Sequence, residues 1–328
     1  RWNLRVDWQR RNRTPGQPPP AAAGSGPAAE FRHNEINLNW QRLNFVVEAR
    51  EQTAPYRQQP RTAATPFAPT ELEAQLRYAA GVEIAVMQAY LAATFSLRDP
   101  SSAAGALADD LAATRYEIMR IAIGEMRHIR AVRDVLAALA PAPPFDPPLR
   151  IATRVPGLLP SDPPFVLLPA PLSPAVLDTF IDIEGPNIAV DGLYNRILAT
   201  LELIDNDRAE QAIRRVMTEG EDHQKIFKAI RSWLAPYTPN QYLRTGIAVA
   251  APGTQPFDDL QTAYLAVLTD LHAGYSQTTL AGASQVNDAR DAMNTSLAPA
   301  CEALAAAGFL VTFAPVSDPR FAPIDPPP

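Results

Sequence analysis

After Thr70, apolar residues recur at three- and four-residue intervals: Leu72, Leu76, Ala79, Met87 and Tyr90, with Glu83 inside the same stripe. That spacing predicts a helix over about 70–97, with Thr70 as its N-cap and Glu73 completing a capping box. Asp99-Pro100-Ser101-Ser102 breaks it. A second stripe, Leu107, Leu111, Ile118, Ile121, Val132, Val135 and Leu139, predicts a helix over 104–139. Residues 141–174 are Pro-rich and read as a long non-helical connection. Ser173-Pro174 is an N-cap with Pro at the first helical position, opening a short helix to about Ile183. Gly185-Pro186 interrupts the pattern, and a third long helix runs to about Ile204. Asp205-Asn206-Asp207 reads as turn and cap, and a fourth helix spans 208–234, closed by Pro236. Two further helical stretches are expected over 256–275 and 286–307, followed from Ala314 by an extended, Pro-rich tail.

Short links join the first long helix to the second and the third to the fourth, while a long crossover joins the second to the third. This predicts an all-α fold: a ferritin-like four-helix bundle with two extra C-terminal helices. The expected domains are an N-terminal arm over 1–69, a helical domain over 70–315 and a tail over 316–328. The arm differs in character from the rest. Arg1 to Arg13 holds five Arg, and residues 15–27 are rich in Pro, Ala and Gly, a composition that does not fold alone. Residues 36–49 partly alternate and read as a short strand or hairpin. Trp2 and Trp8 are expected to anchor the arm by packing on its own bundle, a second copy or a partner subunit, with the Arg side chains at the rim.

Composition narrows the chemistry. Of 328 residues, 47% are apolar, enough for a sizeable core. The net charge of −6 argues against a nucleic-acid partner. Among the 29 basic residues only Lys225 and Lys228 are Lys, which with the Ala and Pro excess reads as compositional bias. A single cysteine, Cys301, excludes an internal disulfide framework and Cys-rich metal sites, and is expected in the core. No apolar run is expected to reach membrane-spanning length. The first residues show no apolar signal segment, so a cytoplasmic location is expected. The absence of an initiator Met suggests a processed or trimmed chain.

Charged residues interrupt the apolar stripes. Glu83 lies between Ala79 and Met87 on the first helix. Glu125 and His128, at i and i+3, lie between Ile121 and Val132 on the second. On the fourth, Glu219 and His223 lie at i and i+4 in the stripe Val216, Ile226, Ile230. An unpaired carboxylate in a bundle core costs several kcal/mol, and a metal ion, a partner charge or a raised pKa are the remedies. Two of the four His sit beside a Glu inside an apolar stripe. Carboxylate with imidazole suits iron, manganese or zinc, and one Glu from each of two helices with Glu-x-x-His from each of two others is the di-iron carboxylate pattern. Glu125-Met126-Arg127-His128 fits it; the fourth helix has Gly220 where the pattern has Glu. From the third long helix, Asp191 is the favoured ligand by its distance from the turn near Asn206, with Glu184 as the alternative. The rival is a network of interhelical ion pairs among these Glu, His and neighbouring Arg127. Tyr90, Tyr116 and Tyr194 read as core packing rather than site donors, and His33 and His272 as surface or cap residues.

The blocks Leu76-Arg77-Tyr78-Ala79-Ala80-Gly81-Val82-Glu83, Ile123-Gly124-Glu125-Met126-Arg127-His128, Phe180-Ile181-Asp182-Ile183-Glu184-Gly185-Pro186 and Glu219-Gly220-Glu221-Asp222-His223 resemble the ferritin-like domain of the iminophenyl-pyruvate dimer synthase type. The resemblance covers about residues 70–315. It implies the bundle, a metal site and an oxidative enzyme of bisindole pigment biosynthesis. Two positions depart: Ile84 stands where the family usually has His, and Gly192 where it usually has a Glu, which leaves Asp191 to replace that ligand.

The expected function is thus a metal-dependent oxidoreductase. One or two iron ions, with manganese possible, would act with oxygen or peroxide on a small organic amine or imine. The alternative is a non-catalytic ferritin-like binding or structural subunit that docks on a larger partner through its arm. Expected partners are a small-molecule substrate and a second copy or larger protein, with no nucleic acid and no membrane.

Overall fold

Two long helices laid side by side, α1 (Leu72–Ser96) and α2 (Gly105–Leu139), form the spine of the protein. The computed structural model describes residues 63–139, 145–159, 161–277 and 282–328. The expected strand over 36–49 and the anchors Trp2 and Trp8 lie outside the described residues. The end of the predicted arm does pack on the bundle: Phe67 is buried, its N–H donates to Thr200 Oγ1 at 2.8 Å, and the Arg196 guanidinium lies 3.7 Å from its ring centroid.

The entry to α1 differs from the expected cap. Thr70 sits inside a 3-10 turn, Pro69–Glu71, and Glu71 Oε2 accepts the Ala68 N–H at 3.2 Å. Glu73 instead pairs with Arg77 one turn on, at 3.0 Å. Nearly every residue of α1 from Tyr78 to Ser96 is buried, not one stripe of it. A helix apolar all round belongs inside a core or a membrane. The stretch Pro69–Ser96 is long and apolar enough to cross a bilayer, with a mean hydropathy of 1.2 in its best window, which corrects the expectation that no run approaches that length. Here its most apolar window is wholly enclosed by protein. Each fully buried Leu, Ile or Phe along it stabilises the fold by roughly 1.5–3 kcal/mol.

The short helix α3 (Pro174–Ile183) and the long helices α4 (Ala189–Ile204) and α5 (Asp207–Leu234) complete the bundle. α2 and α4 both pack on α5, and α4 also packs on α1. Ser173 Oγ accepts the Val176 N–H at the start of α3, and Asn206 Oδ1 the Ala209 N–H at the start of α5, as the cap pattern predicts. The crossover between α2 and α3 lies against α1. Ala152 N–H donates to Gly81 O at 3.0 Å, and a side-chain carbon at Gly81 would lie 2.6 Å from Arg150 O, so only glycine admits this approach.

Beyond α5 come the single turn α6 (Pro239–Tyr242), the helix α7 (Gln255–Tyr275) and, in place of the single helix expected over 286–307, a helical run in three parts. That run is α8 (Gly282–Ala292), a π-helical turn (Met293–Leu297) and α9 (Ala298–Ala306). Pro299 has no N–H to offer the carbonyl one turn back, and the widened turn directly precedes it. A two-residue parallel pair, β1 (Ala248–Val249) with β2 (Phe309–Leu310), ties the ends of this layer. The C-terminal segment is extended but docked: Phe321 is buried, and Ile324 exchanges backbone hydrogen bonds with Ile151 and Thr153.

Candidate metal centre

The interruptions in the stripes meet in the bundle. α1 brings Glu83, α2 brings Glu125 and His128, the C-terminal end of α3 brings Glu184, and α5 brings His223; all five are buried. They form two triads that share Glu125: Glu83, Glu125 and His128, and Glu125, Glu184 and His223. In the first, His128 Nδ1 lies 2.7 Å from Glu125 Oε2 and 3.4 Å from Glu83 Oε1. In the second, His223 Nδ1 lies 3.1 Å from Glu125 Oε1 and 3.8 Å from Glu184 Oε2. Each oxygen of Glu125 therefore serves one triad. The two imidazoles are stacked, with centroids 5.4 Å apart.

Gly124 makes the second triad possible. A side-chain carbon there would lie 2.9 Å from His223 Nε2, so α5 could not bring its imidazole this close to α2. Two tyrosines hold the outer carboxylates. Tyr194 donates its hydroxyl hydrogen to Glu83 Oε1 at 2.7 Å, and Tyr90 donates to Glu184 Oε1. Both rings are fully buried, so they are core residues and site donors at once, which corrects their reading as packing alone. Tyr116 is 42% exposed.

Asp191 is not the carboxylate that joins the triads. Its Oδ2 accepts the Asn187 N–H at 2.6 Å, across the break between α3 and α4. Counting back from the Asn206 turn assumes one continuous helix. Asn187 (φ 62°) and Ala189 (φ 42°) are left-handed instead, and the chain reversal they make leaves Glu184 inside the bundle. Gly192, where a ligand was absent relative to the resembling family, packs 3.2 Å from Asn187 O by its would-be side-chain carbon, away from the triads. Glu219 lies at the rim, outside both triads: its Oε2 is 3.4 Å from His128 Nε2 and 3.3 Å from an Arg127 guanidinium nitrogen.

The charges oppose one another in a dry setting. Burial pushes the Glu83 carboxyl up, and burial together with the Glu125 charge pushes Glu184 up to about 8. Burial also resists ionisation of Glu125, but the His223 and His128 imidazoles outweigh it and hold its carboxyl well below the usual range. Burial would lower both imidazoles, yet Glu125, with Glu83 at His128 and Glu184 at His223, raises them.

The donor set fits a metal ion. Glu125 Oε1, His128 Nε2, Glu219 Oε2 and His223 Nδ1 are buried and make no hydrogen bond, although partners stand 3.1–3.4 Å away. Buried polar atoms left so cost about 1–3 kcal/mol each, and an ion-pair network would align them. Atoms that converge without hydrogen-bond alignment are placed as ligands to common points are. Three carboxylates and two imidazoles suit iron, manganese or zinc, and a carboxylate shared through both oxygens suits a pair of ions.

Known proteins agree with this topology. Residues 76–234 match the family model described as ferritin-like. No curated protein matches the chain. Among solved structures, a ferritin-like protein from Caulobacter vibrioides aligns with a TM-score of 0.52 at 16% identity, over 76% of this chain and 100% of its own. The segment from α1 to α5, which carries all five converging side chains, therefore has the ferritin-like fold.

Proposed function

We propose that this protein is a metal-dependent oxidoreductase, with iron as the working ion and manganese able to replace it, that acts on a small organic amine or imine with dioxygen or peroxide. The observation that carries the reading is the shared Glu125, whose two oxygens face two separate Glu–His pairs inside a dry bundle. The sequence resemblance to oxidative pigment-forming enzymes supports the substrate class. Bound iron supplies one-electron redox chemistry toward dioxygen or peroxide.

The chain's own residues do the rest. Glu83, Glu125, His128, Glu184 and His223 hold the ions, and Glu219 waits at the rim beside His128. Tyr90 and Tyr194 fix the outer carboxylates by donating to their oxygens, as partners behind metal ligands generally do. In the ion-free protein Glu184 keeps a proton to about pH 8, which it would give up to serve as a ligand. Tyr90, Phe180 and Phe227 pack around that end of the site, with centroids 4.7–5.2 Å apart, and exclude water from it.

The test is anaerobic loading with Fe(II), desalting, metal analysis and then oxygen uptake with a panel of small primary amines and imines. The expected result is retained iron and amine-dependent uptake that Glu125→Gln abolishes. A wild-type protein that retains neither iron nor manganese would overturn the reading and leave a structural or docking subunit. Retained iron without oxidation of any amine or imine, whether dioxygen or hydrogen peroxide is supplied, would overturn the substrate class.

A further inference from the structure

The opposite faces of α1 and α2 enclose a second feature. Between these helices, α7, the π-helical turn and α9 lies a cavity of about 50 Å³, on the side away from α4 and α5. Its wall is hydrocarbon and thioether; among the described residues, Tyr264, Asn294 and Cys301 are its only polar or thiol members and no charged side chain lines it. The protein has five methionines, and four of them, Met87, Met119, Met126 and Met293, line this one cavity. The fifth, Met217, lies in the core on α5 and does not. Ile84, the residue that departs from the resembling family, also lines it, as does Asn294 of the π-helical turn.

Three features coincide here. The pocket is open on one side and leaves Met119, Ile123, Met126, Met293 and Ala298 half-exposed, a contiguous apolar surface that a fold selected for stability alone would cover. Methionine is the side chain that re-packs most easily and recurs where a surface must adapt to varied apolar ligands. A π-helical turn is rare, well under 1% of residues, and such turns are frequent at functional sites. We infer that this cavity is a binding site for a small, uncharged, apolar molecule up to the size of one aromatic ring, with the four methionines as its adjustable wall. At rest the void is about a third of the ~150 Å³ cavity that takes benzene in an engineered core, so a ring enters by displacing thioether side chains. The site is separate from the carboxylate–histidine centre: Glu83 and Glu125 point to one side of the helix pair, and Ile84 and Met126, their chain neighbours, line the other.

The probe is toluene, read by the methyl signals of 13C-methyl-methionine protein, with Met217 as internal reference. Toluene is expected to shift the signals of Met87, Met119, Met126 and Met293 in a saturable way and to leave Met217 in place. The same response is expected with and without iron, so its outcome is independent of the redox reading. Ala298→Phe, which fills the cavity from α9, is expected to remove the response in a protein whose far-ultraviolet circular dichroism is unchanged. If that variant does not fold, Ala122→Leu from α2 replaces it, with the same expectation. No shifts, shifts that include Met217 equally, or shifts that survive cavity filling in a folded variant would overturn the site.

Discussion

The helix pair α1 and α2 presents two faces of opposite chemistry. Toward α4 and α5 it carries Glu83, Glu125 and His128, which meet Glu184 and His223 in a charged cluster. Toward α7 and α9 it carries Ile84, Met87, Met119 and Met126 around an apolar void. The two faces are one residue apart in sequence at Glu83-Ile84 and Glu125-Met126. In a helix, adjacent residues point about 100° apart, so a one-residue step suffices to separate a charged site from a hydrocarbon one. The polar face is held by opposed charges whose hydrogen bonding is incomplete, and the apolar face by contact area alone. Disturbing one should leave the other's signature intact.

The largest expected effect is on the polar face and follows from proton linkage. Glu184 is raised to about 8 from 4.5, and Glu83, His128 and His223 are raised as well. The folded, ion-free protein therefore binds more protons than the unfolded chain between about pH 5 and 8, and its stability falls as pH rises through that window. At about 1.4 kcal/mol for each pKa unit, the fall is on the order of several kcal/mol. Glu125 and Glu219 are lowered, so they contribute stability that is lost as pH falls below the usual carboxylate range. Urea melts of ion-free protein should thus show maximal stability near pH 5. Iron or manganese should flatten the decline toward pH 8. A flat ion-free profile would mean that the cluster does not sit in the dry, mutually opposed state described above.

Next in size is Met87→Ala on the apolar face. Enlarging the void should cost about 2–4 kcal/mol, with metal content unchanged. Loss of metal from this variant would show that the two faces are not independent.

Smaller effects should come from the residues that shape the centre. Tyr194→Phe removes the donor to Glu83, and a tenfold to hundredfold loss of metal affinity, about 10–100-fold, is typical of such partners. Gly124→Ala places a carbon against His223 Nε2 and should weaken the second triad more than the first. Calorimetric titration of the two variants with Mn(II) would distinguish them: Tyr194→Phe should reduce the step at the Glu83–His128 triad, and Gly124→Ala the step at the Glu184–His223 triad. Identical titrations would remove the assigned roles.

Much of this layout is legible in the sequence. The four long helices fall within a few residues of where apolar spacing puts them, because each buries a continuous face. Glu83, Glu125, His128 and His223 stand out for the same reason: a charge inside an apolar stripe needs a partner. Glu184 and Asp191 exchange importance because residue counting presumes regular helix, while the left-handed Asn187 and Ala189 reset the register between α3 and α4. Tyr90 and Tyr194 hide their role because a buried ring satisfies the apolar pattern and the hydroxyl at its tip does not show in it. The cavity is invisible in one dimension, since its wall comes from α1, α2, α7 and the C-terminal helices together, and the π-helical turn has no periodic signature over five residues.

The central claim is that one carboxylate, Glu125, serves two metal sites. The direct measurement is the stoichiometry of Mn(II) or anaerobic Fe(II) bound by ion-free protein, compared across the wild type, His128→Ala, His223→Ala and Glu125→Ala. About two ions are expected for the wild type, one for each His variant and none for Glu125→Ala, in proteins that remain folded. A wild-type protein that binds no ion, or a folded Glu125→Ala variant that still binds at full stoichiometry, would contradict the account.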